Sequence, residues 1–94
     1  VTPVSYEMLA DGEGYFIQVG AYSNASSALK MKNNLASLVT ERVFISESRK
    51  SSKKVYRVRI GPFSKRAAVE TVQGELQKRN FHQAMVIVRP LESS

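Results

Sequence analysis

The sequence has no cysteine and no tryptophan, and its only histidine and only aspartate are His82 and Asp11. Without cysteine, the chain can form neither disulfides nor thiolate metal sites. One histidine and one aspartate give no support to a Ser-His-Asp triad or to a histidine-rich metal site. The glutamates are scattered over predicted helices and loops, so no carboxylate pair suited to acid–base hydrolysis emerges. We therefore expect this domain to have no enzymatic activity, no cofactor and no bound metal.

Long apolar runs are also missing, and no stretch approaches the roughly 18 residues of a membrane-spanning helix. We therefore expect no direct membrane insertion. Residues 1–4 resemble no signal peptide, so we expect the chain to be a domain excised from a longer protein. Its 94 residues suit one small domain. We assign residues 15–90 to this domain, residues 1–14 to a linker or tail, and residues 91–94 to a second tail.

The charge of the sequence is positive and unevenly placed. The formal net charge is +6, and the segment from Arg49 to Arg66 contains eight basic residues and no acidic residue. A block of this kind favours an anionic partner. A solvated cationic surface that maintains solubility is the alternative interpretation, and it applies most to the run at 50–54.

An internal repeat with an offset of 41 residues is the most informative feature of the sequence. Tyr-Phe-Ile-Gln-Val-Gly-Ala-Tyr-Ser at 15–23 corresponds to Tyr-Arg-Val-Arg-Ile-Gly-Pro-Phe-Ser at 56–64. Large apolar residues alternate with other residues in both copies, which is the period of a half-buried strand. The serine that ends each segment, Ser23 or Ser64, is expected to cap the helix that follows.

The remainder of each copy has the apolar spacing of a helix and then a short strand. Helices are predicted at 24–38 and 65–79, strands at 43–48 and 84–89, and a polar hairpin loop at 48–54. The residues predicted to face the core from the first helix are Ala28, Met31, Leu35 and Leu38.

The order β-α-β-β-α-β predicts an α+β fold of the ribonucleoprotein-like type. Two helices cover one face of a four-stranded antiparallel sheet, and the other face stays uncovered. Alternation along the strands decides which side chains lie on that uncovered face. They are predicted to include Phe16, Gln18, Phe44, Ser46, Val55, Arg57 and Arg59. Aromatic, amide and guanidinium groups without a carboxylate on the central strands suit an elongated polar ligand.

The two strand segments resemble the signature strands of the SPOR domain, the sporulation-related repeat. The family pattern aromatic-x-Gln-x-Gly-small-aromatic matches residues 16–22, and the pattern Arg-Val-x-x-Gly-Pro-aromatic matches residues 57–63. The resemblance covers residues 15–89. Within the family, the chain is similar to the C-terminal domain of the septal lytic transglycosylases of the rare lipoprotein A type.

The resemblance implies a ligand and a location. SPOR domains bind peptidoglycan, and they prefer denuded glycan strands, from which amidases have removed the stem peptides. The implied partner is thus a chain of alternating N-acetylglucosamine and N-acetylmuramic acid. The implied location is the bacterial periplasm or cell envelope at the division septum, and anchoring of the parent protein in the outer membrane is compatible with it. We expect a monomer that binds no nucleic acid.

The resemblance also implies a binding site on the uncovered face. The family glutamine matches Gln18, the small residue three positions later matches Ala21, and the arginine of the third strand matches Arg57. Ala21 stands where some relatives carry serine, which removes one hydrogen bond. The full set of predicted glycan-binding residues is Phe16, Gln18, Gly20, Ala21, Tyr22, Asn24, Val55, Tyr56, Arg57 and Arg59.

The chain departs from the family at Val55, where relatives carry an exposed tryptophan. Stacking of a ring on a sugar would therefore fall to Phe16, Tyr56 or Phe44. The two arginines of the third strand, Arg57 and Arg59, are expected to pair with a ligand carboxylate.

A single-stranded RNA interface is the principal alternative, because the RNA recognition motif has the same order of elements. That motif requires an aromatic-rich run on the third strand, and Tyr-Arg-Val-Arg-Ile-Gly-Pro at 56–62 lacks it. Fold alone does not decide function, so RNA binding stays open. Recruitment of a protein partner through the same sheet is a third interpretation.

Overall fold

The computed structural model of the protein describes residues 12–91, which form one antiparallel sheet with two helices. The elements are β1 Glu13–Tyr22, α1 Ala25–Ala36, β2 Val43–Lys50, β3 Lys53–Phe63, α2 Arg66–Lys78 and β4 Met85–Pro90. The strand order across the sheet is β2-β3-β1-β4, so β1 and β3 are central. The predicted βαββαβ fold is confirmed. Strand β1 begins at Glu13, two residues before the predicted start of the domain, while residues 1–11 and 92–94 lie outside the described residues.

The core lies between the sheet and the helices. Ile17, Val58 and Ile60 from the central strands are fully buried, and they pack with Leu35 of α1 and Leu76 of α2. Burying one such side chain contributes about 1.5–3 kcal/mol, so these few residues provide much of the stability of a small domain. The alternation seen in the sequence therefore identifies the inward side of both central strands.

Both helices begin one residue later than predicted. Asn24, not Ser23, is the N-cap of α1, and its Oδ1 accepts a hydrogen bond from the Ser26 N–H at 2.8 Å. The N-cap of α2 is Lys65, which provides no side-chain cap, so the predicted cap at Ser64 is wrong. At its other end α1 stops at Ala36, and Leu38, predicted to lie in the core, is 38% exposed.

The β2–β3 connection is a tight hairpin, not the loop predicted at 48–54. Pairing continues to Lys50 and Lys53, which leaves a two-residue turn at Ser51 and Ser52. Ser51 has a φ of 59°, the left-handed conformation that short hairpin turns require. The basic run is therefore part of an extended two-stranded ribbon.

The pairing of β1 with β3 contains two irregularities, one between Tyr15 and Ile17 and one between Gln18 and Gly20. Such an irregularity changes which residues of a strand point to a given face. Beyond the second one, Gly20 pairs with the inward Val58 instead of pointing to the uncovered side. The alternation counted from Tyr15 along β1 thus stops being valid at Gly20.

Gly61, near the end of β3, occupies a site that only glycine fits. Its φ is 146°, and a Cβ there would lie 2.8 Å from the ring of Phe16 and 3.0 Å from the Tyr15 carbonyl oxygen. Its N–H donates to the Arg42 carbonyl at 3.0 Å, which holds the start of β2 against β3. The missing side chain is therefore what lets Phe16 pack against the backbone of β3.

We expect Gly61→Ala to lower the free energy of unfolding by about 1–3 kcal/mol, because it combines an unfavourable φ with a steric clash. Gly74→Ala is the matched control. A Cβ at Gly74 meets nothing within 4 Å, so alanine in this helix should raise stability by about 0.5–1 kcal/mol. Urea unfolding followed by circular dichroism measures both. Equal stability of Gly61→Ala and the unmodified domain would contradict this account.

Candidate functional site

The face of the sheet that the helices leave uncovered, the open face, is built from alternate residues of all four strands. They are Phe44, Ser46 and Ser48 on β2, Val55, Arg57 and Arg59 on β3, Phe16, Gln18 and Ala21 on β1, and Met85, Ile87 and Arg89 on β4. None of these twelve residues is acidic. The face therefore combines three guanidinium groups with serine, amide and apolar side chains.

Gln18 and Arg59 are joined at the middle of the open face. Gln18 Oε1 accepts from Arg59 Nε at 3.2 Å and from Arg59 Nη2 at 3.1 Å, while Arg59 Nη1 lies 3.5 Å from Ser46 Oγ. Burial lowers the pKa of Arg59, and the positive charges of Arg89 and Arg57 lower it further. The guanidinium is thus oriented by a neutral partner, and no carboxylate within residues 12–91 forms an ion pair with it.

Arg57 lies two residues further back along β3 on the same face. Its Nη1 donates to Ser48 Oγ at 2.6 Å on the neighbouring strand, and only one of its five N–H groups is needed for this bond. The bond orients the side chain along the face. The other N–H groups of the Arg57 guanidinium are available to donate to a ligand oxygen.

The aromatic residues of the open face are unequally accessible. Phe16 and Phe44 make an edge-to-face contact with centroids 5.8 Å apart. Phe16 is only 5% exposed, so it forms the floor of the face and offers little surface to a ligand. The guanidinium carbon of Arg42 lies 5.2 Å from the centroid of the Phe44 ring, an attractive cation–π arrangement. Of the two rings, Phe44 is the accessible one.

An open pocket of about 360 Å³ lies at one end of this face. Phe16 and Phe44 form its apolar part, and the prolines and Leu91 close one side. The residues that line it are Phe16, Arg42, Phe44, Ser46, Arg59, Pro62, Arg89, Pro90 and Leu91. The pocket adds Arg42, which precedes β2, to the guanidinium groups that the strands supply.

A metal-binding cluster and a membrane-spanning helix are absent from the part of the chain that the structure describes. Residues 12–91 contain no cluster of three or more His, Cys, Asp or Glu side chains with the geometry to hold a metal ion. Neither helix within those residues is long and apolar enough to cross a membrane.

Comparison with known families assigns the chain. The model of the SPOR domain family matches residues 11–88, which is most of the sequence. The chain belongs to the SPOR domain family. This is a family of peptidoglycan-binding domains linked to cell division and found in the bacterial cell envelope.

The sequence relatives are much longer proteins, and the chain matches only a part of each. The chain is 32% identical over 78 residues to the endolytic peptidoglycan transglycosylase RlpA of Pseudomonas aeruginosa, and 31% identical over 77 residues to RlpA of Yersinia pestis. It covers 23% and 20% of these two proteins, so the SPOR domain spans about a quarter of such a relative or less.

Two solved structures share the fold. The crystal structure of the RlpA SPOR domain from Pseudomonas aeruginosa superposes with a TM-score of 0.75 at 31% identity, and the match covers 82% of this chain and all of that one. The SPOR protein DedD gives a TM-score of 0.63 at 25% identity, over 86% of this chain and 42% of that one. The resemblance found in the sequence is therefore confirmed in three dimensions.

Six of the ten predicted site residues lie together on the open face of this SPOR domain. They are Phe16, Gln18, Ala21, Val55, Arg57 and Arg59. Their placement agrees with the prediction of a shared surface. Their role in binding glycan remains a prediction.

The other four predicted site residues lie elsewhere. Tyr22 and Tyr56 pair with each other and pack against the core on the helix-covered face, and the Tyr22 ring lies where a Cβ of Gly20 would be. The irregular pairing after Gln18 is the reason, since it turns Gly20 and Tyr22 inward. Asn24 uses its side-chain oxygen to cap α1. Tyr56 therefore cannot provide the ring stacking that the missing tryptophan leaves open.

Strand β4 and the chain before β2 also contribute to the site, and the sequence prediction did not include them. Met85, Ile87 and Arg89 complete the open face, and Arg42 reaches the pocket from outside the strands. Alternation with the inward Val86 and Val88 signals the three β4 residues. No periodic pattern signals Arg42, because its position depends on how the loop meets β3.

We expect Gln18→Met to lower the free energy of unfolding by about 1–2 kcal/mol, because Arg59 loses the acceptor that two of its N–H groups share. In an Arg59→Met background the same change should cost less than half as much. The matched control is Gln77→Met on the exposed surface of α2, with an effect within about 0.5 kcal/mol. Urea denaturation of the four members of the cycle gives the coupling energy. An equal cost in both backgrounds would show that the pair contributes nothing.

Proposed function

We propose that this SPOR domain binds peptidoglycan glycan strands that lack stem peptides, and that it thereby brings its parent protein to the division septum. The observation that carries the proposal is the open face, where Gln18, Arg57 and Arg59 lie side by side and none of the described residues on that face is acidic. Membership in a peptidoglycan-binding family supports the class of ligand. Any catalytic activity of the parent protein is assigned to its other domains.

The arginines supply the preference for strands without peptides. Removal of the stem peptide leaves a free lactyl carboxylate on each N-acetylmuramic acid, whereas an intact strand has a neutral amide at that position. A guanidinium binds a carboxylate through two parallel charge-assisted hydrogen bonds, which an amide cannot reproduce. Arg57 and Arg59 stand next to each other on the same side of β3, so both are oriented toward a ligand lying on the sheet.

Gln18 supplies recognition of neutral sugar groups. Its carbonyl oxygen is occupied by Arg59, so its amide nitrogen is the part that can serve a ligand. An amide N–H₂ donates two hydrogen bonds, which suits the carbonyl of an N-acetyl group or a sugar hydroxyl oxygen. The Gln18–Arg59 pair thus presents donors to a ligand whose sugars are rich in acceptors.

The order of the elements is compatible with RNA binding, but the side chains of the open face give that function little support. Modules that bind single-stranded RNA stack bases on aromatic side chains of the two central strands. In this domain the aromatic on the open side of the central strands is Phe16, which is 5% exposed, and Val55 occupies the outward position near Arg57. A single-stranded RNA would therefore meet positive charge on this face, but no exposed aromatic ring on the central strands on which its bases could stack.

The location follows from the same ligand. A domain that recognises denuded glycan must lie on the side of the cytoplasmic membrane where peptidoglycan is found, and denuded strands are made where amidases separate daughter cells. We infer that the parent protein acts in the periplasm, with the outer membrane as its anchor. We also infer that the domain is a monomer, because a glycan strand needs the open face to be unobstructed.

Binding should depend on Arg57 and on amidase treatment. We expect the domain to co-sediment with sacculi, and prior digestion of the sacculi by an amidase should increase the bound amount. Arg57→Ala should weaken binding to amidase-treated sacculi about ten- to a hundredfold, the effect of losing one charge-assisted contact. The control is Arg79→Ala, which removes the same charge from the exposed end of α2 and should bind normally.

The outcomes separate the candidates. Binding that amidase treatment leaves unchanged would retain the peptidoglycan ligand but remove the preference for denuded strands. Tight binding to single-stranded RNA, with no retention on sacculi, would replace the proposal with the nucleic-acid alternative.

A further inference from the structure

The pocket at the end of the open face extends the positive charge of the central site, with which it shares Arg59. Arg59 comes from β3, Arg89 from β4 and Arg42 from the loop before β2, so three different segments bring guanidinium groups to one cavity. Arg89 pairs with Gly14 at the start of β1, and the Arg42 carbonyl accepts the Gly61 N–H. The backbone therefore fixes both positions, although the two side chains are exposed.

The charges in this pocket are not neutralised by the described part of the chain. Among residues 12–91, those that line the pocket include no acidic residue, and no carboxylate in this range forms an ion pair with Arg42, Arg59 or Arg89. Burial lowers the pKa of Arg59, and the nearby charges of Arg89 and Arg57 lower it further; Arg42 adds a third cation to the pocket. Assembled like charges destabilise a fold. A bound anion would relieve that repulsion.

The size and floor of the pocket indicate what kind of anion fits. Its volume of about 360 Å³ falls within the range of small-molecule sites and is far larger than one inorganic ion needs. The Phe44 ring, which packs on the buried Phe16, gives the pocket an accessible apolar surface that matches the C–H face of a sugar ring, and the Arg42 guanidinium lies beside that ring. The pocket lining thus combines apolar and cationic groups, which complement the C–H groups and the anionic substituent of an acidic sugar.

We infer that this pocket is a subsite for a carboxylate-bearing sugar, held by Arg42, Arg59 and Arg89 over the Phe44 ring. The inference rests on the proposed function and deepens it, because it assigns a carboxylate to Arg42 and Arg89, which lie outside the SPOR signature strands. Arg57 lies one strand repeat of about 6–7 Å from Arg59, bonded to Ser48. It remains available for another part of the same strand.

The test measures binding by isothermal titration calorimetry to a short denuded glycan and to a chitooligosaccharide of the same length. The two ligands share N-acetylhexosamine rings, and only the first has carboxylates. We expect the double variant Arg42→Gln/Arg89→Gln to bind the denuded glycan at least about tenfold more weakly, with unchanged binding of the chitooligosaccharide. Arg79→Gln is the control for loss of charge. Both substituted side chains are exposed, and unfolding curves of the variant check that it folds.

The outcomes distinguish this inference from the function on which it rests. If the unmodified domain does not bind denuded glycan, the proposed function fails. If it binds and the double variant binds equally well, the glycan ligand stands and the pocket assignment is overturned. Inorganic phosphate, titrated alone, is the remaining arm. Binding of phosphate as tight as that of the glycan would show a general oxyanion site and would overturn the assignment to a sugar.

Discussion

The two hydrogen bonds between Gln18 and Arg59 hold the centre of the open face, and the rest of the sheet is arranged around them. The two residues are 41 positions apart, so they are the same position in the two copies of the repeat, and they face each other across the central strands. An approximate two-fold axis therefore passes through this pair. The two outer strands, β2 and β4, are related by the same offset. Phe44 of β2 pairs with Arg59, and its equivalent in the other copy, Met85 of β4, pairs with Gln18.

The backbone repeats, but the chemistry of its two flanks does not. Ser48 on β2 corresponds to Arg89 on β4, and Ser46 corresponds to Ile87, by the same offset. One flank is therefore polar and orients the arginines of β3 through serine hydroxyls, whereas the other is apolar and ends in a guanidinium. A glycan strand also has two unlike ends. For the proposed glycan ligand, two unlike flanks would distinguish the two directions in which a strand can lie on the face.

Structural features that depend on residues close together in the sequence could be predicted, whereas features that depend on contacts between distant segments could not. Hydrophobic alternation within a strand is local, so the inward Ile17 and Val58 and the outward Gln18 were predictable. The irregular pairing after Gln18 is not local, because it depends on how β1 meets a strand about 40 residues away. It places Tyr22 on the helix side, whereas strict alternation from Tyr15 would turn it outward. Arg42 is a further case. Its place in the pocket depends on a backbone hydrogen bond to Gly61, which no periodic pattern reports.

The burial of Phe16 also explains how one fold can serve a different ligand class. Gly61 has no side chain, so the Phe16 ring packs closely against the backbone of β3 and against Phe44. An aromatic in that position cannot also stack on a ligand. Under the proposed function, recognition on the central strands depends on directed hydrogen bonds and charge, and such contacts distinguish a free carboxylate from an amide. Flat stacking surfaces accept any base and would not make that distinction.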